Sequence, residues 1–177
     1  MKNIIHSILA ITIATFLLTF TSCNDKDPII PGPGPEPGEH AQLWSYDIGF
    51  GTLNDITPAI DNNDNIYFSM ANMETSMVVA IALDKDGNEL WKQEFEGSST
   101  TKLIYGSNKV FVSTAYPTAI YCLNSSNGSI EWSKNLSEEY EVFDFPNLAF
   151  ANNKLYVGSK EYFSGFLFAY DLSGNEL

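Results

Sequence analysis

Residues 122–132, Cys-Leu-Asn-Ser-Ser-Asn-Gly-Ser-Ile-Glu-Trp, carry the strongest structural signal in this chain. An apolar run leads into the segment, asparagine, serine and glycine fill its middle, and Ile130 and Trp132 lead out of it. Asparagine and glycine adopt the positive φ angles of tight turns at low cost, and alternating apolar side chains favour strands. The segment therefore predicts a β-hairpin.

The same pattern occurs three times along the chain. Residues 82–91 and 169–177 repeat the order of apolar strand, polar turn, glycine and returning strand. The turn glycines are 41 and 46 residues apart, and the tryptophans are 47 and 41 residues apart. Such spacing indicates a stack of similar units. The repeat positions are Asp84, Asn124 and Asp171 at the start of each turn, the glycines Gly87, Gly128 and Gly174, and the tryptophans Trp44, Trp91 and Trp132.

A second hairpin lies in the same register within each unit, because a polar turn precedes the apolar triplets at 66–68, 110–112 and 155–157. In the first unit we predict four strands, and no part of the mature chain has helical apolar spacing over three turns. Four short strands in about 40–50 residues are typical of a propeller blade. The chain is therefore predicted to be all-β, a β-propeller of four-stranded antiparallel blades. The predicted strands are 56–60, 66–70, 78–83 and 89–95, and the predicted blades are approximately 41–91, 92–132 and 133–177.

Residues 122–132 resemble the pyrroloquinoline-quinone-type propeller repeat, Ala-Leu-Asp-x-x-Thr-Gly-x-x-x-Trp. Asn124, Gly128 and Trp132 fall on its Asp, Gly and Trp positions, whereas Asn127 replaces the Thr and the other two copies have a turn one residue shorter. The resemblance implies that each tryptophan packs between neighbouring blades and that each glycine makes a turn. In quinoprotein dehydrogenases it also implies a quinone and a calcium ion on the axis of an eight-blade ring, beside an adjacent Cys-Cys disulfide. This sequence has no such pair, so we expect no cofactor.

The amino terminus has the pattern of an export signal. A short basic start, Met1-Lys2-Asn3, precedes a largely apolar run over residues 4–20. Residues 20–23, Phe-Thr-Ser-Cys, resemble the bacterial lipobox, in which the cysteine receives diacylglycerol, although Phe20 replaces the usual leucine. We therefore predict a signal peptide over 1–22 and lipidation of Cys23, with an ordinary secretory peptide as the alternative.

Residues 23–40 are rich in alternating proline and glycine, which predicts an extended linker because proline fixes φ and lacks an N–H. The linker leaves residues 41–177 as the propeller-repeat domain. The chain is expected in the cell envelope, anchored through Cys23 to the membrane, on the periplasmic side of the outer membrane or on the cell surface. Its formal charge of −13 repels phosphate backbones, which excludes nucleic acid as a partner.

The residues that usually carry catalysis are scarce in the predicted domain. The two histidines, His6 and His40, lie in the signal and the linker, so a Ser–His pair and a histidine-ligated zinc site are not expected. Asp61 and Asp84 each begin a run with oxygen ligands at alternate positions, as in calcium loops. Both runs lack the glycine required at the sixth position and are interpreted as hairpin turns. We predict no catalytic, cofactor or metal site, and Cys122 as a small buried hydrophobe.

The predicted domain has room for only about three blades, whereas closed propellers need roughly four to eight. We therefore expect an incomplete ring, a fragment of a longer propeller, or three-blade arcs that self-associate through their open blade faces. The function that fits is a non-catalytic binding or scaffold module, similar in layout to the propeller lipoprotein of outer-membrane assembly machinery, with a protein or glycan partner. The alternatives are a fragment of a quinoprotein-like oxidoreductase and a non-functional truncated propeller.

Overall fold

The computed structural model describes residues 43–49, 57–72, 74–100, 103–140, 146–160 and 165–177. The signal segment, Cys23, both histidines and the linker lie outside the described residues. Three antiparallel sheets follow one another along the chain. The first sheet has the order β1-β2-β3-β4, with strands at Ala59–Ile60, Ile66–Asn72, Met77–Leu83 and Glu89–Glu96.

The second and third sheets repeat this meander with small variations. In the second sheet, two short strands in succession, β5 and β6, share one edge of β7, and β8 and β9 follow. The third sheet has the order β10-β11-β12. The strands of the second sheet are β5 Ser99–Thr100, β6 Ile104–Gly106, β7 Lys109–Ala115, β8 Ala119–Asn124 and β9 Ile130–Asn135; those of the third are β10 Asn147–Ala151, β11 Lys154–Lys160 and β12 Gly165–Tyr170.

Local turn chemistry explains two of the hairpins directly. Gly106 pairs with Lys109, and Ala151 pairs with Lys154, so each hairpin has a two-residue loop. The loop residues are Ser107-Asn108, with φ of 53° and 59°, and Asn152-Asn153, with φ of 51° and 58°. Positive φ at both central residues matches the right-handed twist of the flanking strands. These short loops therefore set the register of β6 with β7 and of β10 with β11.

The core lies between the sheets rather than inside any one of them. Tyr67 and Ala80 of the first sheet pack against Val110 and Leu123 of the second in one buried cluster. The other face of the second sheet packs against the third in a further cluster that includes Cys122. Face-to-face stacking of successive sheets is the arrangement of propeller blades.

The all-β propeller prediction with about three blades and an incomplete ring is confirmed. A one-turn helix, α1 (Leu136–Tyr140), follows β9. Leu136 is fully buried, and the Asn135 side chain accepts hydrogen bonds from the backbone N–H groups of Ser137 and Glu138 at 3.1 and 3.3 Å, which starts the helix. Among the described residues, no helix has the length and apolar character needed to cross a membrane.

Candidate functional site: the junctions between sheets and the adjoining cleft

Each tryptophan of the repeat lies on the turn of the next sheet. The indole Nε1 of Trp91 donates to the backbone oxygen of Ser125 at 2.8 Å, and that of Trp132 donates to Leu172 at 3.0 Å. Trp44 makes the equivalent bond to Lys85 at 3.0 Å. The three indoles therefore join successive units by the same contact.

The turn glycines allow these contacts because a side chain would occupy the space of the indole. A Cβ atom at Gly128 would lie 2.6 Å from the nearest ring carbon of Trp91. Gly128 also has a φ of 71°, a region that favours glycine. Gly87 and Gly174 stand in the same relation to Trp44 and Trp132. The repeat spacing in the sequence thus corresponds to a tryptophan of one unit packed on a glycine of the next.

In the first and third repeats, an aspartate at the start of the turn closes it with its own carboxylate. Asp84 Oδ1 accepts from the backbone N–H groups of Asp86 and Asn88, both at 2.9 Å, and Oδ2 accepts from the Asn88 side chain at 2.9 Å. Asp171 makes the same bonds with Ser173 and Asn175. Hydrogen bonds from the asparagine side chain and then from the backbone lower the pKa of both aspartates. In the middle repeat, Asn124 Oδ1 accepts from the Ser126 backbone N–H at 2.9 Å.

Asp61 begins a further turn of the same kind, in addition to the three predicted from the repeat spacing. It accepts from the backbone N–H groups of Asn63 and Asn65 at 2.8 and 2.9 Å and from the Asn65 side chain at 3.0 Å. The buried Tyr67 hydroxyl also donates to it at 2.9 Å. Burial alone would raise the pKa of Asp61, but these hydrogen bonds outweigh burial and lower it. An Asp followed four residues later by Asn, shared with Asp84, is the signal that identifies it.

A polar cleft of ≈ 560 Å³ opens beside the junction of the first and second sheets. Its lining includes Asp61, Tyr67, Asn63 and Asn108, together with the half-exposed Leu90. Burial, followed by the hydrogen bond to Asp61, raises the pKa of Tyr67 to about 12, so its hydroxyl stays protonated. The described lining therefore offers amides, hydroxyls, the Asp61 carboxylate that its own turn occupies, and the apolar side chain of Leu90. These groups suit binding rather than proton transfer near neutral pH.

The structure places Cys122 between the second and third sheets, where it is 0% exposed. Burial raises the pKa of its thiol to about 12, which leaves almost no thiolate at neutral pH. The other cysteine of this sequence is Cys23, so the sequence given contains no adjacent cysteine pair. Within the described segments, no group of three or more His, Cys, Asp or Glu side chains is placed to hold a metal ion.

Residues 74–176 match the family described as outer membrane protein assembly factor BamB. The chain belongs to this family. The match covers the tryptophan–glycine junctions of Trp91 and Trp132, and it confirms the resemblance to pyrroloquinoline-quinone-type propeller repeats.

Solved structures with the same fold include BamB itself. The crystal structure of BamB from Moraxella catarrhalis has a TM-score of 0.60 and 20% identity to this chain, with 81% of this chain and 41% of that one covered. Quinohemoprotein alcohol dehydrogenase from Comamonas testosteroni has a TM-score of 0.60 and 19% identity, with 75% of this chain and 22% of the enzyme covered. At these identities the likeness shows the propeller fold alone.

A xyloglucanase from Hypocrea jecorina (strain QM6a) is 26% identical over 104 residues, which are 59% of this chain and 12% of that protein. The chain therefore spans less than half the length of each of these relatives.

Proposed function

We propose that this BamB-family chain is a non-catalytic binding or scaffold module of the cell envelope, with a partner protein as its ligand. The observation that supports this proposal most directly is the match of residues 74–176 to an outer-membrane assembly factor family. An assembly factor acts through association with other proteins. The family description also supports a location at the outer membrane or in the periplasm.

The chemistry of the described turns supports binding over catalysis. The carboxylates of Asp61, Asp84 and Asp171 are occupied by their own turns, and the Cys122 thiol is buried. The polar cleft presents amide and hydroxyl groups beside the half-exposed side chain of Leu90. Tyrosine, present in the lining as Tyr67 and Tyr105, is enriched where a protein surface binds a partner.

The proposed anchor is a lipid on Cys23, which the hydrophilic linker separates from the propeller. Several acyl chains on one residue hold a protein at a membrane, because each buried methylene contributes about 0.8 kcal/mol. Radiolabelled palmitate is expected in the wild-type chain and in the matched control Cys122→Ala, and not in Cys23→Ser. An unlabelled wild-type chain, or label retained by Cys23→Ser, would contradict the anchor.

The partner site can be tested by photocrosslinking from the cleft. A photoreactive residue in place of the exposed Asn63 is expected to crosslink to a discrete envelope protein. The matched control is the same residue in place of Asn152, an exposed turn position of the third sheet. Equal crosslinking from both positions, or none from Asn63, would contradict a protein partner at the cleft. Binding of the purified chain to a glycan array would point to the glycan alternative.

The absence of an enzymatic role is tested separately. Titration of the purified chain with pyrroloquinoline quinone and calcium is expected to leave the absorbance spectrum of the quinone unchanged. The comparisons with quinohemoprotein dehydrogenases extend to the fold and not to this chemistry. Quinone-dependent reduction of a dye in the presence of an alcohol would overturn the non-catalytic proposal.

A further inference from the structure

The two junctions between the three sheets carry stacked aromatic pairs at equivalent positions. At the first junction the rings of Tyr67 and Tyr105 have their centroids 5.5 Å apart. At the second junction the rings of Phe111 and Phe150 have theirs 5.3 Å apart. Tyr105 and Phe150 each lie opposite the first residue of an apolar triplet, in β6 and β10. The two junctions can therefore be compared residue by residue.

The junctions differ at the residue that the earlier sheet places beside the second ring. At the second junction this residue is Gly106, and a Cβ atom on it would lie 2.2 Å from a ring carbon of Phe150. The strand pairings put Asp61 at the equivalent position of the first sheet. Because Asp61 has a Cβ atom, the Tyr105 ring cannot take the place that Phe150 has. The two stacked pairs also differ in angle, 1° at the first junction and 26° at the second.

The turns at the two junctions differ as well. Across the second junction, Ser107 Oγ donates to Asn153 Oδ1 at 2.7 Å, which joins the turns of neighbouring sheets. Asn108 has the position of Asn153 in the second sheet, and it accepts from the Tyr105 hydroxyl of its own sheet at 3.2 Å. Asn108, Tyr105 and Asp61 all line the polar cleft. The cleft therefore depends on residues particular to the first junction and not on the repeat as such.

The described lining of the cleft offers hydrogen bonds without an available charge. The Asp61 carboxylate accepts four hydrogen bonds, from two backbone N–H groups, one side-chain amide and one tyrosine hydroxyl, so both of its oxygens are occupied. Asn63, Asn108 and Ser126 supply amide and hydroxyl groups, which both donate and accept. The N–H and C=O groups of a peptide backbone match such a lining, whereas a charged side chain would lose its water without gaining an opposite charge.

Leu90 gives the cleft an apolar contact, since its side chain is 47% exposed. An apolar side chain of a bound peptide can pack on it, a contact that a hydroxyl-covered sugar does not make. The net charge of −13 repels acidic segments. The cleft volume of ≈ 560 Å³ lies within the range of about 300–1,000 Å³ found for ligand-binding clefts. A short peptide segment without charged side chains is therefore the occupant that fits.

We propose that the Cβ atom of Asp61 opens the cleft by keeping the Tyr105 ring out of the place that Phe150 takes at the second junction, and that the cleft takes an uncharged backbone segment of the partner protein. The first part stands on the geometry of the two junctions, and the second part rests on the proposed function. Asp61 is a positioning residue in this arrangement, because its own turn uses the carboxylate.

The first test asks which part of Asp61 opens the cleft. In the full chain with Cys23→Ser, Asp61→Ala and Asp61→Gly both remove the carboxylate, but only Asp61→Gly removes the Cβ atom. In Asp61→Gly, NMR is expected to show nuclear Overhauser contacts between the Hα protons at position 61 and the Tyr105 ring, as between Gly106 and the Phe150 ring. Asp61→Ala is expected to lack these contacts. Contacts in both variants, or in neither, would overturn the positioning role.

The second test uses a photoreactive residue in place of the exposed Ser126, which lines the cleft from the second sheet. It is expected to crosslink the same envelope protein as the probe at Asn63, both in the wild-type chain and in Asp61→Ala, and to lose that crosslink in Asp61→Gly. The matched control is Asp84→Gly, which removes the same turn hydrogen bonds away from the described lining and should crosslink like the wild type.

The outcomes separate this proposal from the proposed function. An undiminished crosslink in Asp61→Gly would refute the role of Asp61 and leave the protein partner in place. No crosslink from either cleft position of the wild-type chain would refute the protein partner, while the NMR result would still decide whether Asp61 opens the cleft.

Mass spectrometry of the crosslinked peptide tests the chemistry of the bound segment. The partner residue attached to the probe at Ser126, and the residue on each side of it, are expected to be uncharged. A Lys, Arg, Asp or Glu at any of these positions would rule out the uncharged segment. Binding to a glycan array that Asp61→Gly abolishes, without any protein crosslink, would replace the peptide by a glycan as the occupant and so overturn the second part of the proposal.

Discussion

Replacement of Gly128 by alanine tests the contact that joins the first sheet to the second. The new Cβ atom would lie 2.6 Å from a ring carbon of Trp91, so the indole or the turn has to move. The residue also has a φ of 71°, where an alanine costs about 1–2 kcal/mol. Displacement of a packed indole adds about 1–3 kcal/mol, as in other overpacked cores. We therefore expect Gly128→Ala to lower the free energy of unfolding by about 2–5 kcal/mol.

Two control variants separate the backbone strain from the close approach. Gly49 has a φ of 67° with no atom within 4 Å of the Cβ position, so Gly49→Ala should cost only the strain of about 1–2 kcal/mol. Gly158 has neither feature, and serine occupies its position in the first two sheets, so Gly158→Ala should change little. Urea unfolding followed by tryptophan fluorescence measures all three variants. If Gly128→Ala costs no more than Gly49→Ala, the indole contact is not what requires glycine.

Three further predictions concern buried and turn residues. Cys122, in a chain with Cys23→Ser, should react with a thiol reagent only after unfolding, because burial raises the pKa of its thiol to about 12. The reaction is followed by absorbance, and rapid labelling of the folded chain would contradict this prediction. The pKa values of three turn aspartates lie below the ordinary 3.8, so the stabilisation that these carboxylates provide is present above about pH 4 and is lost as the pH falls below it; they are Asp61, Asp84 and Asp171. Asp61→Asn should therefore weaken the fall in the free energy of unfolding that urea titrations show between about pH 5 and 2. Tyr67→Phe should cost about 1.5–3 kcal/mol in the same assay, because one buried hydrogen bond to the carboxylate of Asp61 is lost.

The hairpins could be predicted because their chemistry is local. Strand β2 was expected at 66–70 and lies at Ile66–Asn72, and β4 was expected at 89–95 and lies at Glu89–Glu96. Asparagine, aspartate and glycine at fixed positions in each turn bond to their own backbone or adopt positive φ, whatever surrounds them. The period of the repeat, and with it the fold class, follows from these turns.

Other features depend on contacts that no short segment encodes. The two short strands β5 and β6, which share one edge of β7, and the one-turn helix α1 arise where the chain passes from one sheet to the next. The cleft is lined by turns of two different sheets, so its composition follows from their stacking. Asp61 could have been found from the sequence, because the Asp and Asn spacing of its turn is that of Asp84 and Asn88.

By itself, the sequence determined the strands, the turns and the interval at which tryptophan and glycine recur, because each of these depends on residues close together in the chain. Only the tertiary structure decided which residues meet: Trp91 packs on Gly128, in the following unit. It also decided which side chains are buried. Ile120 and Leu167 are both apolar and lie at equivalent positions of the second and third sheets, but Ile120 is 0% exposed and Leu167 is 77% exposed. Burial depends on whether another sheet lies alongside, and periodicity within a strand carries no information about that neighbour.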